Sequence, residues 1–132
     1  MAYLIDTNIA IHARDGTDAV LDKLAEHDGM VLLSALSLAE LQRGLYKDPA
    51  WTAVRQMRLE ILLRHIPVLP FDAAAATAYG RVLAACGWVR GKDYDRMIAA
   101  HAISTGSVLV TDNEADFRDI PLLVIENWAI PG

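Results

Sequence analysis

The chain has 132 residues, 54% of them hydrophobic and 22% charged, enough apolar side chain for the core of one domain and too much for a disordered tail. No apolar run approaches the ~20 residues of a membrane-spanning helix, and Met1 to Ile5 lacks a basic start and meets Asp6 at once, so neither a membrane span nor a secretory leader is expected. Twelve Lys and Arg against 17 Asp and Glu give a net charge of −5, which argues mildly against a nucleic-acid binder unless bound cations neutralise grouped carboxylates.

Along the chain the apolar period alternates between strand-like and helix-like stretches. Ala2 to Ile5 is a short apolar run ending at Asp6, the pattern of a strand buried on both faces. Thr7 or Asn8 can cap a helix to about Arg14, and Thr17-Asp18 can open another with Val20, Leu21 and Leu24 on one side. Met30 to Ala35 reads as the second strand. Ser37 starts a helix through Tyr46, and Asp48-Pro49 a longer one through His65, since proline at a helix start removes an amide that would be unpaired anyway. Pro67 to Phe71 reads as a brief strand, and Asp72 caps a helix that Cys86-Gly87 ends. Asp93 opens a helix that stops at Gly106. Ser107 to Thr111 is the next strand, Asn113 to Phe117 a single helical turn, and Leu122 to Ile125 a last strand. No repeat or linker divides the chain, so residues 1–132 are expected to form one α/β domain, a short parallel sheet with helices on both faces. The lone Cys86 can form no internal disulfide, fits a reducing cytoplasm and reads as a small buried hydrophobe.

Ligands of such sheets bind outside the carboxyl ends of the strands. There the first strand delivers Asp6-Thr7-Asn8 and the strand over 107–111 delivers Asp112-Asn113. Plain capping explains Asp6 in isolation, and Ser37-Leu38-Ala39-Glu40 fits the capping box; neither role excludes a second one at the same edge. Asp95 resists such a reading. Counting back from Ile98 and Ala99 places it on the buried stripe, opposite a solvated face holding Arg96 and Ser104, while Asp93 serves as the cap. Buried carboxylates that converge need a cation between them, and Mg²⁺ and Mn²⁺ favour oxygen ligands. That chemistry suits phosphodiester cleavage. Arg55, Arg58 and Arg64, and again Arg90, Lys92 and Arg96, form basic groups that either meet phosphates or cover a solvated helix face. His12, His27, His65 and His101 lack metal-ligand spacing, and Trp51, Trp88 and Trp128 read as core or interface residues. No P-loop, dinucleotide-binding or GxSxG motif is present.

Tyr3-Leu4-Ile5-Asp6-Thr7-Asn8 is similar to the opening of VapC-type PIN domains, the toxin ribonucleases of VapBC toxin–antitoxin pairs. Ser37-Leu38-Ala39-Glu40-Leu41 with Gly44 resembles their second motif, Asp95 to Ala102 the third, and Val110-Thr111-Asp112-Asn113 with Asp116-Phe117 the fourth. Ile125-Glu126-Asn127-Trp128 resembles their ending. The resemblance spans nearly the whole chain, in order. It implies a ribonuclease whose acidic pocket binds Mg²⁺ or Mn²⁺, with Asp6, Glu40, Asp95 and Asp116 as its acids. Asp6 and Asp95 would be direct metal ligands, and Glu40 would hold a water or a second ion. The fourth acid stays open among Asp112, Asn113 and Asp116, since Asp112 stands where a basic residue is common. Thr7, Asn8, Asp112 and Asn113 would support the pocket, and Arg43, Lys47 and Arg96 would contact the RNA backbone. The resemblance also implies a homodimer neutralised by a VapB-type antitoxin, for which the helix over 48–65 offers a groove. Two other readings stand beside it. One is a haloacid-dehalogenase-like phosphatase, which usually carries a second aspartate where this chain has Asn8. The other is a PIN-like module that binds without catalysis.

Overall fold

Short runs of branched and aliphatic residues make five strands, β1 (Tyr3–Ile5), β2 (Val31–Ser34), β3 (Val68–Leu69), β4 (Val108–Val110) and β5 (Ile125–Glu126), in the computed structural model, which describes residues 1–130. Pro131 and Gly132, the end of the expected 1–132 domain, lie outside the described residues. All pairings are parallel, in the order β3-β2-β1-β4-β5. The helices are α1 (Thr7–Asp15), α2 (Asp18–Glu26), α3 (Ala35–Lys47), α4 (Thr52–Leu63), α5 (Ala73–Cys86) and α6 (Asp93–Thr105), with 3-10 turns at Pro49–Trp51 and Glu114–Asp116.

Alternation along the strands divides the interior in two. Ile5, Leu33 and Val110 face a cluster with Ile9, Leu41, Leu45, Leu59 and Trp128. Leu4 and Leu109 face the other, with Val82, Ile98, Ala99 and Phe117. Successive strand residues point to opposite sides, so the central β1 is covered on both faces, as its unbroken apolar run requires. The chain winds from β1 outward to β3, then returns to the other side of β1 as β4. A crevice therefore opens at the carboxyl ends of β1 and β4, where the winding reverses.

The expected α/β architecture is present, but several helix starts differ. Asp6, not Thr7 or Asn8, caps α1, its Oδ1 accepting from the Ile9 amide at 2.9 Å. Helix α3 starts directly after β2, where Ser34 caps it by accepting from the Leu36 amide at 3.2 Å. Ser37 consequently sits inside the first turn, fully buried with its hydroxyl unpartnered, and the Ser37–Glu40 capping box does not form. Lys92 occupies the N-cap of α6, and Asp93 is its first helical residue. The stretch from Pro49 is a 3-10 turn followed by α4, and the last strand lies later than 122–125. Trp51 and Trp88 are exposed, whereas Trp128 is buried. Cys86 is half-buried.

Arg96 requires the largest correction. It is buried, not solvated, with Nη2 donating to Asp119 Oδ2 at 3.0 Å and with Nε and Nη1 enclosed without partners. Burial works against its charge, but the Asp119 carboxylate outweighs that and holds the guanidinium above its ordinary value. The hydrogen bond from Arg96 in turn holds the Asp119 carboxyl below the usual range. A guanidinium enclosed in this way is not presented to an RNA phosphate.

Candidate functional site

Strands β1 and β4 run side by side, and the Asp6 amide donates to Val110 O at 2.9 Å. Their ends therefore bring Asp6 and Asp112 to one edge. Asp6 is only 6% exposed. Burial pushes its carboxyl up to about 6, despite hydrogen bonds from the Thr111 side chain and the Ile9 amide, and the charges of Asp112 and Asp95 add to the rise. Asp95, half-buried in the first turn of α6, is also raised, first by burial and then by Asp116 and Glu40, with Lys92 and Arg96 opposing. Glu40 comes from α3. Thr7 Oγ1 donates to Glu40 Oε1 at 2.7 Å, a contact bridging 33 positions of sequence.

The neighbouring edge is more strongly tied. Asp112 Oδ2 lies 3.0 Å from His12 Nε2, and His12 Nδ1 lies 3.2 Å from Thr17 Oγ1. The Asn113 amide nitrogen of the backbone donates to Thr111 Oγ1 at 3.0 Å, and its side-chain amide donates to Asp116 Oδ2. Asp116 Oδ1 also meets Lys92 Nζ at 3.4 Å. His101, deeper in, has its Nδ1 2.8 Å from Ser34 Oγ, and burial lowers its pKa. It belongs to the core, joining α6 to the end of β2.

Asp6, Thr7, Asn8, Glu40 and Asp95 share a cleft of about 500 Å³ with Arg14, Arg43, Lys47 and Arg55. Asp15 lines it as well and takes up Arg14, whose Nε donates to Asp15 Oδ1 at 3.0 Å. Of the basic side chains expected at an RNA backbone, Arg43 and Lys47 line it and Arg96 does not. Arg14, which the sequence does not single out, and Arg55, from the basic group of α4, line it as well. For Arg14 a signal was available: Thr7, Ile11 and Arg14 follow at helical spacing, so one face of α1 carries all three into the cleft. For Arg55 the basic group left phosphate contact and a solvated face both open, because its place depends on how α4 packs on α3, where Arg55 Nη1 donates to Gly44 O at 3.4 Å.

Among the described residues no three acidic, histidine or cysteine side chains are already gathered tightly enough to hold a metal ion. The donor set nevertheless fits one. Asp6, Glu40 and Asp95 offer oxygen alone, which suits hard divalent cations, and burial and mutual charge raise two of these carboxyls in a way that a cation would relieve. Thr7 holds one of the three acids in place, and partners of this kind change affinity or activity by about 10- to 100-fold. Thr7→Val is therefore expected to lower activity by about 10-fold with little change in melting temperature; wild-type rates in a steady-state assay would show that Glu40 needs no such restraint.

Residues 3–123 match the PIN domain family. The chain is 35% identical over 135 residues to Ribonuclease VapC2 of Rickettsia felis, covering 97% of this chain and 98% of the relative. It is 33% identical over 134 residues to the tRNA(fMet)-specific endonuclease VapC of Shigella flexneri, covering 98% and 99%. Among solved structures, a chain of VapBC2 from Rickettsia felis, bound to a DNA fragment from its promoter, superposes with a TM-score of 0.86 at 33% identity, covering 97% and 99%. DNA-bound VapBC from Salmonella typhimurium also gives 0.86, at 30% identity and coverage of 97% and 98%.

Proposed function

The chain belongs to the PIN-domain family as a VapC-type toxin ribonuclease, and we propose that it cuts RNA internally with Mg²⁺ or Mn²⁺ held among Asp6, Glu40 and Asp95. The observation that carries this reading is the cleft itself. Asp6, Glu40 and Asp95, from the start, the first third and the last third of the chain, line it together with Arg43, Lys47 and Arg55.

A divalent ion bound there lowers the pKa of a coordinated water and screens the charge of the phosphate. Asp6 and Asp95 are its ligands in this reading, and Glu40, held by Thr7, orients water beside it. Asp116 is the fourth acid. Its charge raises the Asp95 carboxyl more than that of any other acid, Glu40 coming next. Asn8, Asp112 and Asn113 support the edge. Arg43 and Lys47 hold the RNA backbone, joined by Arg55, which lines the same cleft; Arg14 is buried and taken up by Asp15.

The partner is a cognate VapB-type antitoxin, as in the VapBC assemblies of Rickettsia felis and Salmonella typhimurium. An apolar groove of about 310 Å³ between α1, α2 and α4, lined by Leu21, Leu24, Arg58, Ile61 and Leu62, offers it a seat. We take residues 1–132 as one domain, acting as a homodimer in the cytoplasm. No helix among the described residues is long and apolar enough to cross a membrane. The phosphatase reading is not favoured, because the family match covers most of the chain and Asn8 replaces the second aspartate. A purely binding module is not favoured either, because the acids of the pocket are all present.

The test is cleavage of labelled total RNA, with bulk transfer RNA in parallel because the Shigella flexneri relative is named for that substrate. Antitoxin-free protein should cut with Mg²⁺ or Mn²⁺, and EDTA or Asp95→Asn should each reduce the rate by about 10³-fold, the several kcal/mol that a metal contributes. Undiminished cutting in EDTA would overturn the proposal.

A further inference from the structure

The loop from Gly87 to Lys92 joins α5 to the N-terminus of α6, the end of that helix that carries Asp95. Gly87 and Gly91 bracket it at φ 76° and 84°, so its path uses backbone that other residues adopt poorly. Between them Trp88 is 62% exposed. Its indole is nonetheless tied down. Nε1 donates to Asp93 Oδ1 at 2.8 Å, and the Tyr79 hydroxyl donates to the same oxygen at 3.2 Å. The one polar atom of the ring is satisfied within the protein, and most of its apolar surface is left to solvent.

The setting of this ring is not that of an ordinary surface tryptophan. Val89 and Tyr94 extend the exposed apolar surface beside it. Arg90 is exposed in the same loop, and Lys92 reaches Asp116 at the rim of the acidic pocket. Asp93, which holds the indole, shares the first turn of α6 with Asp95, about 3 Å along the helix axis but roughly 200° around it, so the link from this loop to the pocket runs through Lys92 and Asp116. A restrained aromatic face flanked by basic side chains at the edge of a phosphodiester-cleaving site has the chemistry of single-stranded nucleic-acid recognition, in which unpaired bases stack on aromatic rings. Trp51 makes a useful contrast: it is 52% exposed, but no hydrogen bond among the described residues fixes its ring.

We propose that Trp88 is a stacking platform for an unpaired RNA base beside the nucleotide being cut, fixed for that purpose by Asp93 and Tyr79. The proposal rests on the ribonuclease reading for its substrate class. It makes Trp88 a positioning residue of substrate binding, outside the metal chemistry. Stacking of one base on an aromatic ring corresponds to about a 10-fold change in affinity or more.

The experiment uses antitoxin-free protein and bulk transfer RNA, which presents unpaired bases in loops and at its 3′ end. Binding is measured in an Asp95→Asn background, and cleavage kinetics with Asp95 intact. Trp88→Ala is expected to weaken binding and raise KM about 10-fold while kcat stays within about twofold; Trp88→Phe should restore most of the affinity, and Trp51→Ala should change neither constant. Unchanged RNA affinity in Trp88→Ala overturns the platform. So does a loss that Phe does not restore, or one confined to kcat, either of which would make the loop a structural prop. Unchanged RNA binding with a lost dimer or a weaker VapB-type antitoxin complex would assign the ring to a protein interface instead. If the wild type binds the RNA but cuts none, the ribonuclease reading fails, while the Trp88 binding series still decides the stacking.

Discussion

Asp6→Asn is expected to reduce cleavage by about 10³-fold and, in metal-free protein near pH 8, to stabilise the fold by roughly 2 kcal/mol. The two effects have one origin. Folding takes the Asp6 carboxyl from its ordinary value up to about 6, chiefly by burial. The folded chain therefore binds this proton more tightly than the unfolded chain. The contribution of Asp6 to stability is fully present below its unfolded pKa and is lost as the pH rises through about 6. Above that, the fold carries a buried charge that asparagine lacks, while the asparagine oxygen can still accept from the Ile9 amide. The gain should vanish below about pH 4, where the aspartate is neutral in both states. It should also shrink as Mg²⁺ or Mn²⁺ is added, because only the wild-type pocket gains a tightly held ion. Urea titrations of both proteins at pH 4 and pH 8, with and without the ion, give all four values. A destabilised, metal-free Asp6→Asn at pH 8 would mean that burial of Asp6 does not strain this edge.

Trp128→Ala is expected to destabilise the chain by about 4 kcal/mol, the usual cost of emptying a large aromatic site. Trp128 is 1% exposed and stacks on His27 with ring centroids 5.2 Å apart and planes 11° from parallel. It also packs at 5.3 Å against Tyr3, the first residue of β1, and its Nε1 donates to Glu126 Oε1 at 3.1 Å. It lies beyond residue 123, where the family match ends, yet it closes the cluster under α1, α3 and α4. The urea midpoint should fall sharply with little change in slope. A loss below about 1 kcal/mol would show that the segment after β5 merely rests on the fold.

What could be read in the sequence was what depends on polarity and order. Apolar runs that stop at Asp6 and Asp112 located the strand ends, and parallel winding brought those ends together. The helix starts depended on local competition that periodicity does not resolve. Ser34 and Ser37 are both capable caps three residues apart; Ser34 prevails because α3 begins directly where β2 ends, leaving Glu40 free to accept from Thr7. Asp93 reads as a cap, but its carboxylate is used by Trp88 and Tyr79. Arg96 misled for a different reason. Arg96 and every residue from Ile98 to Ala102 are buried, because α6 is enclosed by α5 and by the sheet, and a helix covered on most sides has no solvated face for a stripe to define. The basic lining of the cleft was legible only in part, since the place of Arg55 rests on the packing of α4 against α3.

The central position of β1 also governs when this protein becomes dangerous to the cell that makes it. Its neighbour β4 begins at Val108, so the first strand emerges from the ribosome about a hundred residues before one of its two partners exists. Pairings so distant in sequence form late. On the proposed site, Asp6 stands in a complete pocket only after Asp95 and the β4 edge have been synthesised, which would make nuclease activity a property of the nearly finished chain.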